Sequence, residues 1–282
     1  MNKQPLVSVI MPFYQQEDFL LDAVRSVEAQ TYPQVELVIV DDCSPGATAE
    51  ELVGWRQTNN LKIIRHDHNQ GVSVARNTGV HQCSGELILP LDSDDLITED
   101  YLEKTVAALT NEELGGVYTS VKLFGQSDWI WRPDCALPRH LSHGGPNTFL
   151  YRRQVFDEVG GYKPEIKYGE DCDFWLCALK KGWRFQHIDE ALYLYRKHGG
   201  GSTDSEGHVC WKEATNMILR EHRDLCLLYL EDLLANTAEK YAESVEEFRT
   251  TCDSFKTLQA LNSQYEEQLH CCRAITPAPV NT

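Results

Sequence analysis

Long apolar runs are missing from this 282-residue chain. None approaches the ~18 consecutive apolar residues that a bilayer-spanning helix requires, so no transmembrane segment is expected. Basic charge is scarce as well: 26 Lys plus Arg stand against 43 Asp plus Glu, a formal charge of −17. A body so charged repels polyanions at long range, which argues against nucleic acid as a partner. It leaves room for an anionic small ligand, because a divalent cation held by a few carboxylates reverses the local field. Paired cysteines are absent too. The ten cysteines (43, 83, 135, 172, 177, 210, 226, 252, 271, 272) form no C-x-x-C pair. They read as reduced thiols of a cytosolic protein, not as a zinc site or a disulfide framework. Internal repeats and low-complexity tracts are lacking, and with 42% apolar and 24% charged residues the chain is expected to fold around a sizeable core.

The opening MNKQPLVSVIMPF has an apolar part of only Leu6 to Phe13, no small-residue cleavage site, and many β-branched residues. It reads as a buried strand, not a leader. The first half then alternates β-branched runs with helical periodicity, the pattern of an α/β domain with a mainly parallel sheet. Strands are expected at Val7–Met11, Leu37–Val40, Leu61–Ile64 and Leu87–Leu91. Phe19, Leu20, Ala23, Val24 and Val27 fall on one helical face, and further helices open near Gly71 and about Thr98. The stretch from about Gly115 to Arg139 holds Tyr118, Phe124, Trp129 and Trp131 with little periodicity and reads as irregular strand and loop. A helix over Glu170 to Lys181, strands at Arg184–Ile188 and Leu192–Tyr195, and a flexible His198-Gly-Gly-Gly-Ser202 loop follow.

Glycine disappears after Gly207, and long helical stretches run to the Pro-containing end TPAPVNT, which reads as disordered. The expected division is an α/β domain over residues 1–204 and a helical tail over 205–282. In the tail, Tyr241, Val245, Phe248, Cys252 and Phe255 keep heptad spacing. The register then fails at Gln259 and Asn262, with a displaced stripe at Leu258, Leu261, Tyr265 and Leu269. Two outcomes stay open: a coiled coil between chains, giving a homo-oligomer, or a helical hairpin packed back on the body.

Acidic clusters stand at element ends, where ligands bind in open α/β sheets. Leu89-Pro90-Leu91-Asp92-Ser93-Asp94-Asp95 closes an apolar strand. Continued strand alternation would put Asp92 and Asp94 on one side, two hard oxygen ligands for Mg²⁺ or Mn²⁺ with positions left for phosphate oxygens. The plainer alternative is a cap for the next helix, with Asp95 or Thr98 in that role. Val40-Asp41-Asp42-Cys43-Ser44-Pro45 is explained by a turn, or by a carboxylate that accepts the imide N–H of a uracil-like base. In Asn69-Gln70-Gly71-Val72-Ser73-Val74-Ala75-Arg76, Gly71 permits a tight helix entry and Arg76 lies about a turn and a half in. Acids in Gly169-Glu170-Asp171-Cys172-Asp173-Phe174-Trp175 suit a first helical turn on electrostatic grounds alone. Tyr195-Arg196-Lys197-His198 precedes the glycine loop.

Taken in order, VSVIMPFY, VDDCS, NQGVSVARNTG, LDSDD, GGYK (160–163), GEDCDFW (169–175) and YRKH (195–198) resemble the family 2 glycosyltransferases of GT-A fold, over about residues 5 to 203. The resemblance implies a Rossmann-like, mainly parallel sheet flanked by helices, with the C-terminal α-helical extension outside it. It implies inverting sugar transfer from a nucleotide-sugar, a UDP-sugar first, to a carbohydrate, glycolipid or other hydroxyl acceptor. Carried over by position, Pro12 and Tyr14 would line the base pocket and Asp42 would bond the base. Arg76, Asp92 and Ser93 would contact the nucleotide-sugar, with Asp92 toward the ribose. Asp94 and His198 would hold Mn²⁺ or Mg²⁺, Asp171 would be the general base, and Glu170 and Trp175 would approach acceptor or donor sugar; Trp129, Trp131 or Trp175 is also a candidate stacking platform for the acceptor. The family usually has Asn at Gln15 and Gly at Cys43, which puts the local turn geometry in question. No Q-x-x-R-W segment occurs, so a non-processive, cytoplasmic enzyme is expected, with peripheral association at the inner membrane face left open. Two other readings compete with it. A sugar-1-phosphate nucleotidyltransferase needs a Gly- and Arg-containing loop where this chain has Pro12-Phe13-Tyr14-Gln15-Gln16. A non-catalytic scaffold has no need to keep Asp94 and Asp171.

Overall fold

The computed structural model describes residues 4–55, 60–132, 148–198, 216–218 and 220–228. The heptad seam, the displaced stripe, the glycine loop after His198 and the Pro-containing end lie outside the described residues.

Strand β1 (Val7–Phe13) forms because its alternate residues feed two cores. Val7, Val9, Met11 and Phe13 enter one apolar cluster, and Ile10 enters the other. Helix α1 (Glu17–Glu28) buries Leu20, Ala23, Val24 and Val27 on the first face, the i, i+3, i+4, i+7 stripe of the sequence. Strand β2 (Val35–Asp41), helix α2 (Ala49–Val53), strand β3 (Leu61–Arg65), helix α3 (Val72–Gln82) and strand β4 (Leu87–Pro90) follow. Helix α2 is fixed by a Thr48–Glu51 capping box. Gly71 caps α3 at φ 89°, a left-handed conformation that a side chain would strain. After a two-residue strand β5 (Leu96–Ile97), helix α4 (Tyr101–Ala108) begins at Asp100, with no side-chain cap from Asp95 or Thr98.

The middle, expected as irregular strand and loop, is strand over most of its described part: the twelve-residue β6 (Leu114–Gly125) pairs antiparallel with β7 (Trp129–Trp131), and 133–139 lie outside the described residues. Both β6 faces are buried over Gly115–Val121, which erases the period-2 alternation that would mark it as a strand. Strand β8 (Leu150–Arg152), helix α5 (Arg153–Val159), helix α6 (Glu170–Lys180) and strand β9 (Arg184–Lys197) complete the α/β body. The two strands expected around residues 184–195 are one, irregular where Ile188 and Ala191 pair with the adjacent Thr119 and Ser120.

The nine strands form one mixed sheet in the order β3-β2-β1-β4-β8-β6-β9-β5, with β7 beside β6. β3, β2, β1 and β4 are mutually parallel, and β8 is antiparallel to both β4 and β6. β6 and β9 therefore run with β4, so the sheet is mainly parallel in strand direction. The chain moves from β1 outward to β2 and β3, then returns to lay β4 on the other flank of β1. This reversal makes the carboxyl ends of β1 and β4 the topological switch point, the place where open α/β sheets form their ligand crevice. Beyond the boundary expected at residue 204, helix α7 (Arg223–Leu228) and the helical residues 216–218 and 220–221 before it are described; Ile218 packs with Ile166, Cys172 and Leu176. No helix among the described residues is long and apolar enough to cross a membrane.

Candidate active site

The crevice collects most of the residues singled out from the sequence. Strand β4 stops at Pro90, and Asp92–Asp95 form a turn closed by the Asp95 amide donating to the Asp92 carbonyl at 3.1 Å, not a continued strand. Asp92 and Asp94 remain partly exposed while Ser93 and Asp95 are buried. Ser93, 3% exposed, thus lies below the surface that a nucleotide-sugar would touch.

Asp94 Oδ2 lies 3.0 Å from Nε2 of His198, which follows the carboxyl end of β9. Burial, then the nearby charge of Asp92, pushes the Asp94 carboxyl up, and the hydrogen bond with His198 draws it back. Asp95 supports the turn from below: it accepts from the Arg196 amide at 2.7 Å and from the Tyr193 hydroxyl. The Arg196 guanidinium donates to the Asp94 carbonyl at 2.8 Å and sits between the Phe19 and Phe124 rings, 4.7 and 4.6 Å from their centroids. Phe19 also contacts the His198 ring at 4.6 Å. In the sequence Phe19 shows only as part of the apolar face of α1, and Arg196 only as a member of YRKH.

A second relationship crosses the crevice. Arg76, 7% exposed, donates from Nη2 to Asp92 at 2.8 Å and from Nη1 to Glu170 at 2.5 Å. It therefore ties the Asp92–Asp95 turn to the first turn of α6. Burial alone would lower the Arg76 pKa, yet Asp92 and Glu170 hold it well above its ordinary value. Burial, followed by the charge of Asp171, pushes Glu170 up to about 7 against the pull of Arg76. Asp171, half-buried beside it, accepts from the Cys172 amide at 2.7 Å.

Two expectations are corrected. Asp42 does not present an open acceptor to a base. Its carboxylate, 5% exposed, takes His66 Nδ1 at 2.7 Å, the Gln70 amide at 2.9 Å and the Gly71 amide at 2.7 Å. His66 in turn meets Thr78 Oγ1 at 3.0 Å. Asp42 thus holds the 66–71 loop, a role the sequence did not disclose because His66 is 24 residues away. Trp175 offers no stacking face either: it is fully buried against Phe149, ring centroids 4.2 Å apart, and Tyr151. Pro12, half-buried in β1, and Tyr14, 40% exposed just beyond it, stand at the carboxyl end of that strand. Gln15 and Cys43 are the two non-glycine residues at positive φ among the described residues, 55° and 62°. Ser44 links these two turns by accepting from the Gln15 amide at 2.9 Å.

The Asp94–His198 pair supplies one hard oxygen and one imidazole nitrogen, a donor set that fits a divalent ion such as Mn²⁺. Asp92 does not complete a trio with them: among the described residues the group whose three donor atoms lie within 4.8 Å of one another is Asp173, Cys177 and His222.

The profile of the family described as Glycosyl transferase family 2 matches residues 8–163. The Bacillus subtilis protein TuaG, named for teichuronic acid biosynthesis, is 30% identical over 204 residues, covering 69% of this chain and 80% of TuaG. Among solved structures, residues 1–349 of Staphylococcus aureus TarS in complex with UDP-GlcNAc superpose with a TM-score of 0.64 at 25% identity. The match covers 76% of this chain and 66% of that one, so this chain spans just under two thirds of the TarS fragment. The Pyrobaculum calidifontis mannosyltransferase PcManGT, in complex with GDP-Man and Mn²⁺, shares the fold at TM-score 0.60 and 20% identity over 80% of this chain and 65% of its own. The crevice at the β1/β4 reversal, the Asp92–Asp95 turn and these matches agree: the chain belongs to glycosyl transferase family 2 and is a glycosyltransferase of GT-A architecture.

Proposed function

We propose that this enzyme transfers a sugar from a UDP-sugar to a hydroxyl of a glycan or lipid-linked acceptor by a single inverting displacement, with Asp171 as general base. The observation that carries the reading is the Arg76 bridge. It joins the turn that bears Asp92 and Asp94 to the first turn of α6, so donor-side and base-side groups meet at one end of the sheet. The UDP-GlcNAc complex of TarS supports a UDP-sugar.

Tyr14 and Pro12 would bound the base pocket, and the 66–71 loop, held by Asp42, would form its other wall. Asp92 would meet the ribose while fixed by Arg76. Asp94 and His198 would hold Mn²⁺ or Mg²⁺, which when bound neutralises charge on the departing diphosphate. Asp171 takes the acceptor proton as the hydroxyl oxygen bonds to the anomeric carbon and the bond from that carbon to the diphosphate oxygen breaks. The diphosphate leaves without needing a proton, so one carboxylate suffices. A lipid-linked acceptor would bring the enzyme to a membrane surface as a peripheral protein.

A melting-temperature screen of UDP-, GDP- and dTDP-sugars with Mn²⁺ tests the donor reading, because a ligand bound only to the native state stabilises it by mass action. A rise confined to UDP-sugars supports it; no rise with any of them contradicts it.

A further inference from the structure

Helix α6 begins without a side-chain cap, at Gly169 with φ 74°. Its first turn is held instead by buried side-chain contacts on either side of Asp171. One is Glu170 with Arg76. The other involves Asp173, whose carboxylate is 2% exposed and lies 2.7 Å from Nε2 of His222, itself 1% exposed. His222 lies outside every motif of the family resemblance and outside the matched residues 8–163.

We propose that His222 is a positioning residue for the reaction: through Asp173 it fixes the first turn of α6, and with it Asp171, so that the segment around residues 216–225 is part of the catalytic unit. The inference rests on the reading of Asp171 as the base.

The contacts are dense for so short a segment. Lys163 Nζ lies 3.1 Å from Asp173 Oδ2 and 3.2 Å from Oδ1, and it also pairs with Glu221. Lys180, at the far end of α6, donates to the Glu221 carbonyl at 3.1 Å and pairs with Asp224 at 2.7 Å. Ile218 fills the apolar space against Cys172 and Leu176. The segment therefore grips α6 at both ends and along its length. Burial would push the Asp173 carboxyl up, but hydrogen bonds from His222 and Lys163 outweigh it and hold the group below its ordinary value. A charged Asp173 is thus locked between two donors.

Cys177 completes a trio with Asp173 and His222, its Sγ 3.9 Å from Asp173 Oδ2. The Lys163 ammonium already occupies the cation position beside both Asp173 oxygens, so the trio is better explained as an ion-pair clasp than as a metal site. His222 Nδ1 is buried with no hydrogen-bond partner among the described residues. The tautomer that carries its proton on Nε2 therefore suits the geometry, and it donates to Asp173.

The test uses the full chain with UDP-GlcNAc and Mn²⁺, water taking the place of the acceptor hydroxyl, and reads the rate of hydrolytic UDP release, the dissociation constant for UDP and the melting temperature. His222→Ala is expected to lower the release rate about tenfold or more, with the UDP dissociation constant within about twofold of wild type. His222→Gln, whose amide still donates to Asp173, is expected to recover most of the rate. A wild-type rate in His222→Ala overturns the inference, as does a loss that UDP affinity and melting temperature follow in parallel. If His222→Ala does not fold, His222→Asn, too short to reach Asp173, replaces it under the same criteria. A wild-type rate in Asp171→Asn, or no UDP release by the wild type, overturns the underlying reading instead, so the two failures are distinguishable.

Discussion

Asp94 and His198, 104 residues apart in the chain, bring a carboxylate oxygen and an imidazole nitrogen to 3.0 Å at the carboxyl ends of β4 and β9. If this pair holds the divalent ion, Asp94→Ala abolishes the Mn²⁺-dependent part of UDP-sugar binding. His198→Ala weakens it while leaving one ligand in place. Calorimetric titration of UDP-GlcNAc with and without Mn²⁺ checks this; an unchanged Mn²⁺ effect in Asp94→Ala contradicts it.

Glu170 gives stability a pH dependence of definite sign. Its folded value of about 7 lies above the ordinary 4.5, so the native state holds a proton that the unfolded chain has released. The stabilisation is complete below about 4.5 and is lost as pH rises through about 7. Glu170→Gln cannot titrate, so relative to it the wild type should lose melting temperature across that window. Parallel melting curves against pH contradict the assignment.

Asp42 should matter to the fold as much as to binding. Its buried carboxylate satisfies His66 and the Gln70 and Gly71 amides, and hydrogen bonds to a charged group contribute about 1.5–3 kcal/mol each. Asp42→Ala is expected to lower the melting temperature by several degrees without ligand. A variant with unchanged stability but weakened UDP binding would return Asp42 to direct base contact.

Cys43 and Gln15 occupy the left-handed region at φ 62° and 55°, where a non-glycine residue costs on the order of 1–3 kcal/mol. Cys43→Gly relieves that strain, against about 0.5–1 kcal/mol of added chain entropy. A modest rise in melting temperature is expected; a fall contradicts it.

The sequence made the parallel half of the sheet legible because β1, β2 and β4 are apolar runs closed by turn residues, and α1 keeps a clean stripe. It left the bounds of β6 unreadable, because its buried faces carry no alternation, and it hid β8, three residues long. At the site, acids at strand ends and Arg76 were readable as local motifs. Their partners were not, since His66, Arg196 and His222 meet Asp42, Asp94 and Asp173 only through tertiary packing. Trp175 misled for the same reason: a tryptophan beside a catalytic motif reads as a platform until its burial is known.

The most direct test of the central claim is single-turnover UDP release from UDP-GlcNAc by Asp171→Asn, with water as the nucleophile that takes the sugar, measured beside its affinity for UDP. Loss of a general base lowers the rate by about 10²–10⁴, and with donor contacts intact the UDP affinity should stay that of the wild type. A wild-type rate of release in Asp171→Asn would contradict the account.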